Sequence, residues 1–324
     1  MSRHTRKRRA MRPALSMIEL VFVIVVLGIV ASLGAEMIAA AYKTYFLQYV
    51  TQRANMRTEI AAQQIVNLLS RRIPGTALSR NPADLTDTIE AREFTDANDT
   101  NHTLLEWIAE EQDSRTARLP SSSSTARPGW SGFCDVDASG AASVTTPGSD
   151  LNFAWSVMGN LYPGMTNAAI FFRSRNYSTT QTYNPKSCMG LTGSDTSCIS
   201  SVEHNNSDPI NVMRFDTVSA ARPGKRIVEH YKLAASAYAL CPKDNGDGTF
   251  DLILFYDYQP WEGERLTQTD CGDTNISHAT LATDLTVFKF AEAGNTFRFK
   301  ICTREKLGEG DHNITSCKER AIIR

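Results

Sequence analysis

Apolar and polar positions change pattern abruptly near the start of the chain. From Leu20 it reads LVFVIVVLGIVASLGA without a charge, and across residues 15–41 only Ser16, Glu19, Ser32 and Glu36 interrupt apolar or small side chains. About 20 helical residues suffice to cross a bilayer core. A lone segment in hydrocarbon must satisfy its own backbone hydrogen bonds, so the pattern predicts a helix. Gly28 and Gly34 are compatible with it, because small residues let membrane helices approach. Beyond this run the helical period continues. Tyr45, Phe46, Tyr49, Val50, Ala54, Ile60, Ala61, Ile65, Leu68 and Leu69 recur at spacings near three and four, with Gln52, Arg53, Arg57, Glu59, Gln63 and Gln64 between them. An amphipathic helix is expected, ending near Arg71 and Arg72 ahead of Pro74-Gly75. Continuous from residue 15 to residue 72, it would be roughly 87 Å long.

After Pro74 the helical period is lost. Residues 80–118 are mostly polar, with a short helix expected around residues 104–111. PSSSSTARPGWSG, from Pro120, and the Gly/Ser/Thr/Pro-rich stretch to Asp150 read as loops. Strands are expected at residues 169–172 and 210–215, once or twice within 227–241, and at FDLILFYDY (250–258), which follows the turn-rich Asp244-Asn245-Gly246-Asp247-Gly248. Residues 285–290 and 296–302 keep a period of two through Phe288, Phe290, Phe297, Phe299 and Ile301 and predict a hairpin. No helical crossover separates these late strands, so the sheet should be antiparallel, its apolar face covered by the amphipathic half of the long helix. The expected class is α+β. Four segments follow: a basic leader at 1–14, the long helix at 15–73 with its first half transmembrane, a loop-rich connection at 74–150, and a β-rich, cysteine-bearing head at 151–324.

Charge sharpens the reading of the first segment. Arg3, Arg6, Lys7, Arg8, Arg9 and Arg12 precede the first acid, Glu19. Such a block tethers and orients a chain at the anionic cytoplasmic face of a membrane. Cutting after Ala14 would remove all six and leave an excess of seven acids, so bulk charge does not suggest a nucleic-acid partner. The seven cysteines, Cys134, Cys188, Cys198, Cys241, Cys271, Cys302 and Cys317, all lie beyond the apolar segment. That distribution fits an exported, oxidised domain. Zinc is the competing account, but no Cys-x-x-Cys pair or closely spaced histidine supports it. Spacing suggests local closures, Cys188 with Cys198, Cys241 with Cys271 and Cys302 with Cys317, leaving Cys134 over, although sequence alone does not fix connectivity.

A cleaved signal peptide has its small-residue cleavage site after the apolar run; here the small residue, Ala14, precedes it. The run Ala14-Leu15-Ser16-Met17-Ile18-Glu19-Leu20 resembles the processing motif of type IV prepilins and type II secretion pseudopilins. This resemblance covers the first fifth of the chain. It implies a pilin-like fold, cleavage between Ala14 and Leu15 by a prepilin peptidase, and methylation of the new amino terminus. It also implies that Glu19 pairs with the Leu15 amine of a neighbouring subunit. Ala14 stands where the family usually has Gly, Leu15 where it often has Phe, and no proline interrupts the membrane helix. The implied partners are other pilin or pseudopilin subunits, an inner-membrane assembly platform and the lipid bilayer. The implied place is the bacterial inner membrane, crossed once, with a periplasmic head that enters a periplasmic or extracellular filament. The Cys302–Cys317 closure is similar to the carboxy-terminal disulfide loop of many pilins.

Enzymatic motifs are not found: there is no G-x-G-x-x-G, Walker A, H-E-x-x-H or G-x-S-x-G, so a non-enzymatic role and no resident cofactor are expected. Some larger pseudopilins bind calcium, and Asp244, Asp247 and Asp251 in DNGDGTFD are weak candidates for such a site. Their spacing departs from an EF-hand loop, and Asn-Gly and Asp-Gly are also common hairpin turns. The competing function is a single-pass binding or sensory protein whose leader is never removed.

Overall fold

The computed structural model describes residues 16–91, 101–117, 127–172, 186, 188–196, 199–215, 227–293, 296–306 and 313–323. The chain divides into two units, Met1–Arg53 and Ala54–Arg324. One α-helix, α1 (Met17–Ser70), supplies most of the first unit and opens the second. Its apolar run and the amphipathic pattern behind it are thus a single helix.

The second unit contains two antiparallel sheets. Along the chain lie β1 (Leu78–Asn81), β2 (Asp84–Glu90), β3 (Leu104–Ile108), α2 (Asp113–Thr116), β4 (Ser143–Thr145) and α3 (Leu151–Leu161). They are followed by β5 (Ala168–Phe172), β6 (Ser200–His204), β7 (Val212–Phe215), β8 (Tyr231–Ala234), β9 (Ala237–Asp244), β10 (Phe250–Tyr258), β11 (Ser277–Ala293), β12 (Thr296–Lys306) and β13 (Asn313–Ile323). The larger sheet has the order β13-β12-β11-β10-β9-β3-β1-β2 and the smaller β4-β7-β6-β5-β8. The chain passes from one sheet to the other between Ala234 and Ala237.

Side-chain alternation divides the core. On one face of the larger sheet Leu105, Trp107, Leu240, Leu252, Phe288, Phe290, Phe297, Phe299 and Ile301 enclose Ala61, Ala62, Ile65 and Leu69 of α1. On the other face Leu104, Ile108, Ala239, Cys241 and Phe255 meet Ala169, Phe171 and Ala234 of the smaller sheet. Neighbours in sequence, such as Leu104 and Leu105, belong to different clusters, as the period of two requires. The far side of the smaller sheet packs Leu151, Ala154 and Met158 of α3 against Ile170, Val202, Met213 and Leu233. Asp150 caps α3 by accepting the Phe153 N–H.

Two sequence expectations are corrected. Residues 104–111 do not form a short helix: Leu104–Ile108 is a strand with every residue buried, and a strand covered on both faces loses the alternation that marks one. Residues 74–150 are not simply a loop-rich connection, because β1, β2 and β3 belong to the larger sheet. Arg80 and Glu106 make these strands look polar, yet they form a buried ion pair, Nη1 to Oε2 at 2.7 Å. Arg80 also donates to the Leu85 carbonyl through Nε and Nη2, and Tyr258 donates its hydroxyl to Glu106 Oε1 at 2.7 Å. Burial, reinforced by the Glu106 carboxylate, holds the Tyr258 hydroxyl well above its usual pKa, so it remains a donor.

Cys241 is bonded to Cys271 and Cys302 to Cys317. The second bond joins register partners on β12 and β13. In a chain-entropy account, closing a loop of this size contributes about 3 kcal/mol. Cys188 is disulfide-bonded, while Cys198, its expected partner, lies outside the described residues. Cys134 is a free, buried thiol.

Candidate functional site

In the first unit α1 starts with a cap. The Glu19 N–H donates to the Ser16 side-chain oxygen at 3.3 Å and to the Ser16 carbonyl at 3.0 Å. Ser16-Met17-Ile18-Glu19 thus has the Ser-x-x-Glu spacing of a capping box, and Glu19 also places a negative charge against the positive end of the helix dipole. The cap was readable from that spacing, Ser16 and Glu19 standing three positions apart ahead of the apolar run. Ala14 and Leu15, the expected processing pair, lie outside the described residues.

Past the cap the helix exposes its apolar side chains. Met17, Ile18, Phe22, Leu27, Ile29, Val30, Met37 and Ile38 are all more than half exposed. The most apolar stretch of α1 is long enough to cross a membrane, and none of it is buried. Soluble monomers rarely expose a contiguous apolar surface of this extent. The backbone is satisfied within the helix, as hydrocarbon demands. Farther along, Thr44 and Thr51 donate their hydroxyls to the carbonyls four residues earlier, Ala40 and Leu47, leaving neither without a partner. No side chain would crowd an added Cβ at Gly28 or Gly34, so this surface is open for another helix to approach closely.

In the second unit the same helix is fastened by polar contacts as well as by its apolar stripe. Thr58, fully buried, has its Oγ1 2.5 Å from that of Thr303, and Ser316 donates to Asn55 Oδ1 at 2.7 Å. Arg57 pairs with Glu305 and donates to Thr283 Oγ1 at 2.5 Å. Glu59 receives Arg320 at 2.5 Å and lies 3.3 Å from Lys318 Nζ. Just past the helix end, buried Arg72 donates from Nε and Nη2 to Glu292 Oε1, at 3.2 and 2.9 Å, and lies over the Phe297 ring. Residues 55–72 are therefore latched to β11, β12 and β13. The sequence placed this helix on the sheet through its apolar spacing but gave no sign of the polar partners.

The acidic turn between β9 and β10 has other work for its carboxylates. Asp244 accepts the Gly246 N–H. Asp247 binds Thr249, Arg304 and Lys306, and these contacts, led by the Thr249 hydroxyl, lower its pKa to about 2. Asp251 accepts from Asn245 Nδ2 and from the Asp284 N–H. Among the described residues no three carboxylate, histidine or cysteine side chains converge as a metal site. His230 packs at a tilt against the Phe133 ring, with centroids 4.9 Å apart.

No family model matches the chain, and neither curated proteins nor solved structures give a match. What it can do must be read from its own chemistry: an apolar helix start left uncovered, and a tightly bonded antiparallel head.

Proposed function

We propose that this chain is a minor pilin or pseudopilin, assembled through its amino-terminal helix into a type IV pilus or type II secretion pseudopilus. The carrying observation is α1 itself. One helix is apolar and uncovered at its start, opens on the motif that resembles a prepilin processing site, and ends as part of the core of an antiparallel head. A membrane holds that start before assembly, and neighbouring helices cover it afterwards. Prepilin peptidase would cut after Ala14, exposing the Leu15 amine for methylation and for pairing with Glu19 of an adjacent subunit. The basic leader places the amino terminus in the cytoplasm and the oxidised head in the periplasm of a bacterial inner membrane. The size of the chain, well above that of a small major pilin, favours a tip or accessory position.

Sheared filaments test this directly. Quantitative mass spectrometry is expected to find the subunit present but far below the main shaft component. Equal abundance would overturn the minor role, and complete absence from every filament or pseudopilus preparation would overturn assembly.

One observation favours a second reading. In the first turn of α1 the Glu19 carboxylate already opposes the positive end of the helix dipole without a partner subunit, as suits an unprocessed single-pass binding or sensory protein. In that case the leader is retained.

A further inference from the structure

Among the described residues, the larger sheet ends in two strands with a neighbour on one side only, β2 and β13. The pairing of β2 with β1 is broken by a register shift at Arg80 and Asn81, and the outermost strands of the smaller sheet, β4 and β8, have three and four residues. Bulges and short strands are ordinary ways to blunt an edge. Neither protects β13. Its eleven residues pair with β12 in one unbroken register, from Ile323 opposite Thr296 to Asn313 opposite Lys306, and no proline falls among them. Lys318 and Arg320, the cations that could guard this edge, are turned toward α1 and held by Glu59. Every second residue of such a strand directs its N–H and C=O away from the paired neighbour. A row of this kind is a template for another extended chain.

Charge beside the edge narrows what it would accept. One carboxylate, Glu59, serves both Lys318 and Arg320, and the three side chains are between 33% and 43% exposed. Together they carry one excess positive charge on the face toward α1. A second copy fits poorly. Antiparallel pairing about a two-fold axis sets cation against cation whether Lys318, Glu319 or Arg320 lies on the axis, and like charges directly opposite destabilise a sheet. Thr315, Ala321 and Ile323 share the other face, where Ile323 is 81% exposed. We propose that β13 takes up an extended peptide segment of another protein as a further strand of the larger sheet. That segment carries an acidic side chain on the face toward α1 and apolar side chains on the other. The inference rests on this sheet alone and is independent of the filament reading.

The test is fluorescence anisotropy of the full chain in a neutral detergent with short labelled peptides of alternating threonine and valine, the central threonine replaced by glutamate, glutamine or lysine. The glutamate peptide should bind below about 1 mM, and the lysine peptide about tenfold more weakly. Methylating the peptide's backbone nitrogens at one alternate set of residues should abolish binding, and methylating the other set should leave it, because an added strand pairs through one of its own edges. Lys318→Gln/Arg320→Gln should reverse the preference toward the lysine peptide, since Glu59 then stands without its two cations. Absence of binding by every peptide, equal effects of the two methylation sets, or an unchanged preference in the double variant would overturn the proposal. So would a dimer in sedimentation velocity that excludes the glutamate peptide, which assigns the edge to a second copy.

Discussion

Glu19→Ala is expected to leave the protein inserted and its head folded, and to remove it from filaments. Within the helix Glu19 contributes a favourable dipole interaction of about 0.3–1 kcal/mol. The apolar stretch behind it spans a bilayer without that help. Loss of the carboxylate even removes an ionisable group that is costly in lipid. In an assembled bundle the balance reverses, because the Leu15 amine of the neighbouring subunit would be left buried without its counter-charge. Removing one partner of a buried pair costs about 3–5 kcal/mol, a loss of roughly a hundredfold or more in an association constant. The processed variant should therefore accumulate in membranes at the parent level and be depleted from sheared filaments. Unchanged incorporation would leave Glu19 as a first-turn acid facing the helix dipole and nothing more.

Glu106→Leu should destabilise the head by a similar amount, about 3–5 kcal/mol, without touching the helix start. Its carboxylate is fully buried and takes hydrogen bonds from Arg80 and Tyr258. The substitution leaves a buried guanidinium with only carbonyl acceptors, at Leu85 and Leu191. Arg80→Met/Glu106→Leu together should recover most of the loss, because a buried pair replaced by apolar side chains of like size is often close to neutral. Denaturant unfolding of the detergent-solubilised chain, followed by tryptophan fluorescence, would measure both, with Trp107 on β3 close to the change. A single substitution within about 0.5 kcal/mol of the parent would contradict the role given to this pair.

What the sequence revealed follows from the strength of its periodic signals. The helix stood out because its apolar residues keep a helical spacing from the membrane run into the sheet-packed segment. The hairpin of β11 and β12 stood out because five aromatic or aliphatic residues alternate across it. Strands β1 and β3 were hidden by Arg80 and Glu106, whose polarity matters only until each is paired with the other. Strand β13 was hidden for another reason: of its helix-facing positions, Ser316, Lys318 and Arg320 are polar and find Asn55 and Glu59 on α1. No local pattern announces partners so distant in sequence. The cysteine spacing suggested the Cys302–Cys317 closure, but the register that brings the two together depends on β13. In the candidate site, the apolar surface, Glu19 and the Ser-x-x-Glu spacing of the Ser16 cap were legible, whereas the polar contacts that latch residues 55–72 to the sheet emerged only with geometry.

The most direct test of the central claim is the amino terminus of the protein extracted from bacterial membranes that contain an active prepilin peptidase. Mass spectrometry should find a chain that begins at Leu15 with a methylated amine, and deletion of the peptidase should restore the leader. An intact leader in peptidase-positive cells, with Arg3 to Arg12 still attached, would contradict the account and favour an unprocessed membrane-anchored protein.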